Sequence, residues 1–174
     1  MTAELFRANK IENYDTAIMR TFTEEGVELL HYASHAVNEQ ASQFCYEFEL
    51  AKVLWDEGGD GSITIYFYDG TIKAYGNPQK GVQRKLWSAV AATLGEGVIV
   101  CGPEAAMSHM ICIRGMQQSV SEIHRFPEEI IKYSEMRYRN EPGYYVEGLA
   151  DSLKLCYEKA VLPSEVGFSW AKIG

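Results

Sequence analysis

The segment SITIYFYDGTIKAYG, residues 62–76, carries the strongest structural signal in the protein. Apolar and polar residues alternate on both sides of Asp69-Gly70. This dipeptide favours a two-residue type I′ turn, in which both positions take a positive φ. Such a turn pairs Phe67 with Ile72 and leaves one face of the two strands apolar. The segment therefore predicts a β-hairpin with one buried face.

Residues 44–56, upstream of the hairpin, also alternate between apolar and polar side chains. Phe44 and Tyr46 occupy even positions, whereas Trp55 occupies an odd one, so the phase changes near Ala51-Lys52. One extra residue at such a point is typical of a β-bulge. We therefore predict a three-stranded antiparallel meander that ends with the hairpin.

Helices are predicted on both sides of this meander. Leu30, Ala33 and Val37 recur at gaps of three and four, which indicates an amphipathic helix. By similar reasoning, the predicted helices cover residues 23–42, 79–94, 127–139 and 144–161, and two more strands cover 98–101 and 110–113.

The predicted fold class is α+β, in one domain covering residues 1–174. Its mainly antiparallel sheet of about five strands packs with four helices, in the order α-βββ-α-ββ-α-α. Residues 1–20 are predicted as an N-terminal arm or irregular helix, and residues 163–174 as a C-terminal tail.

Composition excludes several classes of protein. Hydrophobic residues make up 47% of the 174, so the protein is not expected to be disordered. The formal net charge of −8 argues against general nucleic-acid binding, which needs a basic surface. No apolar run is long enough to cross a membrane.

The cysteines point to a reducing compartment. Cys45, Cys101, Cys112 and Cys156 are widely spaced and form no CxxC motif. The first residues carry no apolar leader segment. We therefore expect four buried thiols and a cytoplasmic protein.

One set of residues offers a metal site as a weak alternative. On the predicted helix 23–42, Glu28, His31 and His35 would share one face. Zinc accepts such ligands, but this motif lacks the glutamate that serves as general base in HExxH. The main expectation is that the protein uses no metal and no cofactor.

The loop over residues 76–86 joins a predicted strand to a helix N-terminus, a junction that can hold a phosphate. A meander, this loop, a helix and a buried strand together resemble the central element of the GNAT acetyltransferase family. The resemblance covers residues 43–101 at most. It implies an acyl-CoA-dependent acyltransferase in which Lys80, Gly81 and Val82 hold the pyrophosphate of acetyl-CoA.

Aromatic and basic residues occur together near the C-terminus. Arginine and tyrosine are enriched among the residues that dominate binding energy in protein interfaces. The candidate partner-binding residues are Arg137, Tyr138, Arg139, Tyr144, Tyr145, Phe168 and Trp170.

The leading functional hypothesis is a non-enzymatic protein-interaction module. It would regulate or inhibit a larger protein complex, as proteins encoded by phages and mobile elements often do. The partner is another protein, and self-association into a homo-oligomer stays open. No catalytic residue is assigned.

Overall fold

The computed structural model describes residues 1–39, 42–81, 83–137 and 141–171. The fold is α+β, as predicted, although the number and order of the strands differ from the prediction. The strands are β1 (Thr2–Arg7), β2 (Thr16–Phe22), β3 (Glu28–Ser34), β4 (Gln43–Glu47), β5 (Ala51–Asp56), β6 (Thr64–Phe67), β7 (Ile72–Ala74), β8 (His124–Arg125), β9 (Ile131–Ser134) and β10 (Gly143–Val146). The helices are α1 (Arg84–Thr93), α2 (Pro103–Ser119), α3 (Leu149–Lys159) and α4 (Pro163–Val166), with 3-10 turns at Glu128–Ile130 and Ser169–Ala171.

The protein divides into two compact units. Unit 1 comprises Met1–Glu39 and Ala106–Gly174, and unit 2 comprises Gln40–Ala105. The prediction of a single domain stays a prediction. Within the residues that the structure describes, no helix is long and apolar enough to cross a membrane.

Unit 1 is built on a four-stranded sheet in the order β3-β2-β1-β8. The first three strands are antiparallel, and β8 lies parallel to β1. Side chains alternate between the two faces of the sheet, so β1 and β2 each contribute to two cores. A separate hairpin pairs β9 with β10.

The main core lies on the face of the sheet that carries Phe6 and Ile18. Residues of β10, α3 and the segment that follows α3 complete this core, among them Val146, Leu149 and Leu162. The second core lies on the opposite face, where Leu5 and other strand residues pack against Met116 and its neighbours on α2. The sheet therefore lies between two layers of apolar side chains.

The buried carboxylate of Glu4 binds α4 to the face of the sheet that carries the main core. Glu4 is only 2% exposed, and its carboxylate accepts hydrogen bonds from the backbone N–H of Ser164 at 3.2 Å and from its hydroxyl at 2.5 Å. Burial raises the pKa of Glu4, and the two bonds from Ser164 oppose that rise. Beside it, Arg20 donates two hydrogen bonds to Glu165, at 2.6 and 2.9 Å. These contacts link β1 and β2 to a helix about 160 residues away in the sequence.

The N-terminal predictions are wrong. Residues 1–20, expected as an arm or irregular helix, contain β1 and most of β2, and β3 replaces the helix expected over 23–42. Leu30 and Ala33 stand at a helical gap, yet Leu30 packs against the main core while Ala33 lies on the other face. Seven residue pairs join β2 to β3, and this ladder overrides the local helical pattern.

Unit 2 is a meander in the order β4-β5-β6-β7, with α1 following it. One strand with a β-bulge was predicted over 44–56, but this segment forms two strands, β4 and β5, so the sheet has four strands instead of three and the bulge is wrong. The backbone N–H of Phe48 donates to the carbonyl of Ala51 at 2.8 Å and closes a tight turn between two strands. The change of phase in the sequence therefore reflects a reversal of the backbone direction.

The predicted hairpin is confirmed, with a register shifted by one residue. Tyr66 pairs with Ile72 and Thr64 with Ala74. Of Asp69-Gly70, only Gly70 has a positive φ, at 92°. The loop therefore spans three residues, with glycine in the left-handed position, and an Asp69 carboxylate oxygen accepts the Thr71 N–H at 2.8 Å.

The predictions for the middle of the sequence are mixed. The helix over 79–94 is confirmed as the shorter α1, followed by Gly95 at a φ of 76°. Residues 98–101 form no strand. Residues 110–113 lie inside α2, because Cys112, Ile113 and Met116 form one helical face against the sheet.

Of the two predicted C-terminal helices, the one over 127–139 is wrong and the one over 144–161 is too long. In the described part of 127–139, a 3-10 turn and β9 replace the predicted helix. The helix over 144–161 shortens to α3 because its first residues belong to β10. In the tail over 163–174, the described residues form α4 and a 3-10 turn.

Candidate functional sites

Unit 1 contains a cleft lined by three histidines. Its volume is about 180 Å³, and His31, His35 and His109 line it together with Tyr14 and Asp15. Ala17, Ala33, Ile113 and Met116 complete the lining. We call this site the histidine cleft.

The strand and helix periods explain why these residues meet. His31 lies in β3 and His35 follows that strand, so the two positions share a face at a period of two. His109 and Ile113 are four apart on α2, one turn of the helix. The strand face and the helix face together form the walls of the cleft.

The cleft places one imidazole with a lowered pKa, that of His31, near a hydrogen-bonded carboxylate, that of Asp15. One Asp15 oxygen accepts hydrogen bonds from the backbone N–H groups of Ala8 and Asn9, at 2.9 and 2.8 Å, and from the Asn9 amide. His31, His35 and His109 are exposed, but partial removal of the His31 imidazole from water lowers its pKa, and the nearby His109 lowers it further. The cleft therefore disfavours a positive charge on His31.

The weak metal hypothesis does not match the positions of its three residues. His31 and His35 do line one cleft, but Glu28 lies on the opposite face of β3, with its carboxylate 2.9 Å from Nε of Arg20. Among the residues that the structure describes, no group of three His, Cys, Asp or Glu side chains is placed to hold a metal ion. The helix predicted to place these three residues on one face is in fact the strand β3. Successive side chains of a strand point to opposite faces, so Glu28 and His31 are separated.

The described C-terminal candidates lie in two parts of unit 1, one around β10 and one at the main core. Arg137 donates to the carbonyls of His35 at 2.7 Å and Tyr144 at 3.2 Å, so its guanidinium joins β10 to the end of β3. The ring of Tyr144 lies edge-on to Tyr133, and Tyr145 is partly buried in β10. Tyr138 and Arg139 lie outside the described residues.

Phe168 and Trp170 are packed against the main core. Their rings stack on one another with centroids 5.4 Å apart, and Trp170 also contacts Phe6 and Phe126. Both side chains therefore contribute to the packing of the main core of unit 1. Their participation in partner binding stays a prediction, as does that of Arg137, Tyr144 and Tyr145.

The loop predicted to hold a pyrophosphate turns sharply before α1. The Asn77 side chain accepts the Gln79 N–H at 2.8 Å, and the Lys80 N–H donates to the Asn77 carbonyl at 3.2 Å. Gly81 has a φ of 122°, and Val82 lies outside the described residues. Because residues 98–101 form no strand, the strand-helix-strand order behind the acyltransferase resemblance is not present.

The sheet of unit 2 carries an aromatic face that the sequence pattern alone did not mark as a site. Strand register places six apolar residues on one side of it: Phe44, Tyr46, Val53, Trp55, Ile65 and Phe67. We name this side the aromatic face. The opposite side carries Glu47, Lys52 and Tyr66, together with two exposed aliphatic residues, Leu54 and Ile72. Two-residue alternation was the available signal, and it was interpreted as a buried face.

The aromatic face is incompletely covered. Phe44 stacks on Trp55 with ring centroids 5.8 Å apart and lies 4.9 Å from Tyr46, and Tyr46 remains 56% exposed. Of the described residues of unit 2, only Ala51 and Gly61 are buried. Large exposed apolar surfaces of this kind mark interaction sites.

The thiols differ from the expectation of four buried cysteines. Cys45 and Cys101 are exposed, Cys112 is partly buried, and Cys156 is buried. Burial, reinforced by the carboxylate of Glu4, raises the pKa of the Cys156 thiol to about 11. The expectation failed because Cys45 lies on the more polar side of the unit 2 sheet.

These environments predict distinct thiol reactivities. With Ellman's reagent at pH 8, Cys45 and Cys101 are expected to react first, because only exposed thiols meet the reagent readily. Cys156 should react at least about 100-fold more slowly until the protein is unfolded, since its thiolate fraction is low and its sulfur is covered. Cys45→Ser and Cys101→Ser should each remove one fast equivalent. A fast phase that survives in the double variant would contradict these assignments.

Comparison of the sequence and fold with protein-family models, curated proteins and solved structures finds no match.

Proposed function

We propose that this protein is a non-enzymatic interaction module that binds another protein through the aromatic face of unit 2 and so regulates or inhibits a larger complex. The observation that carries the proposal is the exposure of Tyr46 beside Phe44 and Trp55 on an apolar sheet face.

The composition of the aromatic face resembles the core of a protein interface. Interface cores are rich in aromatic residues and poor in charges. Across the paired strands this face carries a single charge, Lys73 on the edge strand β7, whose ammonium group lies 4.8 Å from the Tyr75 ring. The other side of the sheet carries the Glu47–Lys52 ion pair, at 3.1 Å.

The same features specify the chemistry of the partner. An apolar protein surface would gain from covering the aromatic rings, because the free energy gained scales with the apolar area removed from water. A nucleic acid would need several cations for its phosphates, and this face offers one. The proposed partner is therefore a protein that presents an uncharged, apolar surface.

Two tyrosines on opposite sides of the sheet give a matched test. Tyr46 lies on the aromatic face and is 56% exposed, and Tyr66 lies on the other side and is 43% exposed. A photo-crosslinking phenylalanine analogue placed at each position in turn would identify a partner in a host extract. The partner would then be purified and its dissociation constant measured by calorimetry.

Tyr46→Glu is expected to weaken binding at least about 30-fold, the effect of a central interface residue. Tyr66→Glu should change it less than about 3-fold, because that side stays in water. Thermal melts of both variants check that the sheet is intact. Equal losses from the two variants would contradict the proposal, as would crosslinks from position 46 only to this same protein. Crosslinks to a second copy, together with a dimer by light scattering, would replace the proposed partner with self-association.

A further inference from the structure

The histidine cleft has the dimensions of a site for a small molecule with one ring. Its volume is about 180 Å³, and an apolar protein cavity of about 150 Å³ is large enough to hold benzene. Its walls include Ala17, Ala33, Ile113 and Met116, which offer only hydrocarbon and a thioether. A ring or a branched hydrocarbon of similar size would therefore fill the cleft.

The polar groups of the cleft lack partners within the protein. None of the described residues forms a hydrogen bond or an ion pair with the side chains of His31, His35 or His109. Asp15, the one carboxylate in the lining, is engaged by Ala8, Asn9 and Thr16. Three imidazoles thus present free donors and acceptors to whatever enters.

The three histidines approach the cleft from two sides. His31 and His35 come from the β3 segment, and His109 comes from α2. No lysine or arginine is among the described residues that line the cleft, and the other titratable groups facing His31 there are Tyr14 and Asp15. An anion that enters can therefore take hydrogen bonds from the imidazoles and from the Tyr14 hydroxyl, and only an imidazole can offer it a positive charge.

We propose that the histidine cleft binds a small carboxylate with a one-ring hydrocarbon body, whose carboxylate takes hydrogen bonds from His31 and His109 while the body packs against Ile113 and Met116.

Protonation distinguishes a carboxylate from a neutral ligand of the same shape. Partial removal from water and the nearby His109 hold the pKa of His31 below its ordinary value. A carboxylate would stabilise the imidazolium and raise that pKa. Binding of a carboxylate must then take up a proton and strengthen as the pH falls, whereas a neutral amide would not show this dependence.

Benzoate and benzamide are suitable probes because they share a ring and differ in charge. In imidazole-detected NMR titrations of the full-length protein, benzoate is expected to shift the His31 and His109 signals. It should bind about tenfold more tightly at pH 5.5 than at pH 7.5, because one pKa unit gained on binding is a tenfold change in affinity. Benzamide should bind with the same affinity at both values.

Two matched variants locate the effect. His31→Gln combined with His109→Gln keeps two hydrogen-bonding side chains that cannot be protonated, so this double variant should abolish the pH dependence of benzoate binding. His124→Gln is the control, since His124 lies in unit 1 outside the lining and pairs with Glu122 at 3.5 Å. It should leave the binding unchanged.

Several results would overturn the proposal. One is the absence of saturable binding by about 10 mM benzoate at pH 5.5, which corresponds to less than about 3 kcal/mol of binding free energy. Others are an equal pH dependence for benzamide, or a pH dependence of benzoate binding that persists when both His31 and His109 are replaced by Gln. None of these outcomes bears on the aromatic face of unit 2, so the proposed function is tested separately.

Discussion

Replacement of Trp170 by alanine is expected to lower the free energy of unfolding by about 3 kcal/mol, the lower end of the range for large buried aromatics. Trp170 packs edge-on against Phe6, with centroids 5.2 Å apart, and contacts Phe126 at 5.3 Å. The adjacent Ala171 is fully buried in the same core. Loss of the indole would leave a cavity among rings that cannot close around it.

The same substitution at Trp87 provides the control. Trp87 lies on α1 and is 62% exposed, so Trp87→Ala should change the free energy of unfolding by less than about 0.5 kcal/mol. Urea denaturation followed by far-UV circular dichroism measures both. A loss below about 1 kcal/mol for Trp170→Ala would mean that the C-terminal residues do not complete the main core.

Arg20→Ala is expected to destabilise unit 1 by about 2 kcal/mol at pH 7, because hydrogen bonds to charged groups contribute more than neutral ones. Arg20 makes a bidentate contact with Glu165 and also donates to the carbonyl of Ala160, at 3.2 Å. Arg20→Lys should recover only part of the loss, since lysine cannot form the two parallel bonds.

The pH dependence of this effect identifies its cause. The hydrogen bonds from Arg20 lower the pKa of Glu165 below the ordinary value of 4.5. A carboxyl group with a lowered folded-state pKa contributes stability above its unfolded-state pKa and loses it as the pH falls through the folded-state value. The penalty of Arg20→Ala should therefore shrink below about pH 4. A penalty that is constant from pH 7 to pH 3 would assign the effect to lost packing of the arginine stem.

The sequence predictions succeeded where the deciding interactions join residues close together in the sequence, and failed where those residues are far apart. The hairpin at Asp69-Gly70 and the helix that ends at Gly95 were predictable, because turn geometry and helical capping act within a few residues. The register failed by one residue because Asp-Gly also fits a three-residue loop in which only glycine has a positive φ. The prediction of a helix in place of β3 was wrong. The apolar residues there do have helical spacing, but pairing with β2 makes the segment a strand.

The two candidate sites show the same division. His31 and His35 were identified from the sequence, but His109 joined them only because β3 and α2 come together in unit 1. Phe168 and Trp170 were identified as potential anchors, and the tertiary structure placed them against Phe6 and Phe126. The alternation of Phe44 and Tyr46 was visible in the sequence, whereas the exposure of their face was not.

Composition and local pattern were sufficient for the α+β class, for the hairpin of unit 2 and for the argument against a general nucleic-acid binder. These conclusions rest on periodicity, turn chemistry and a net charge of −8, which belong to neighbouring residues or to the sequence as a whole. Three features emerged from the folded arrangement instead: the pairing of three antiparallel strands within the first 34 residues, the shared cleft of the histidines and the exposure of Tyr46 on the aromatic face. Strand pairing and burial depend on contacts between residues far apart in the sequence, and local patterns carry no information on which distant partner is present.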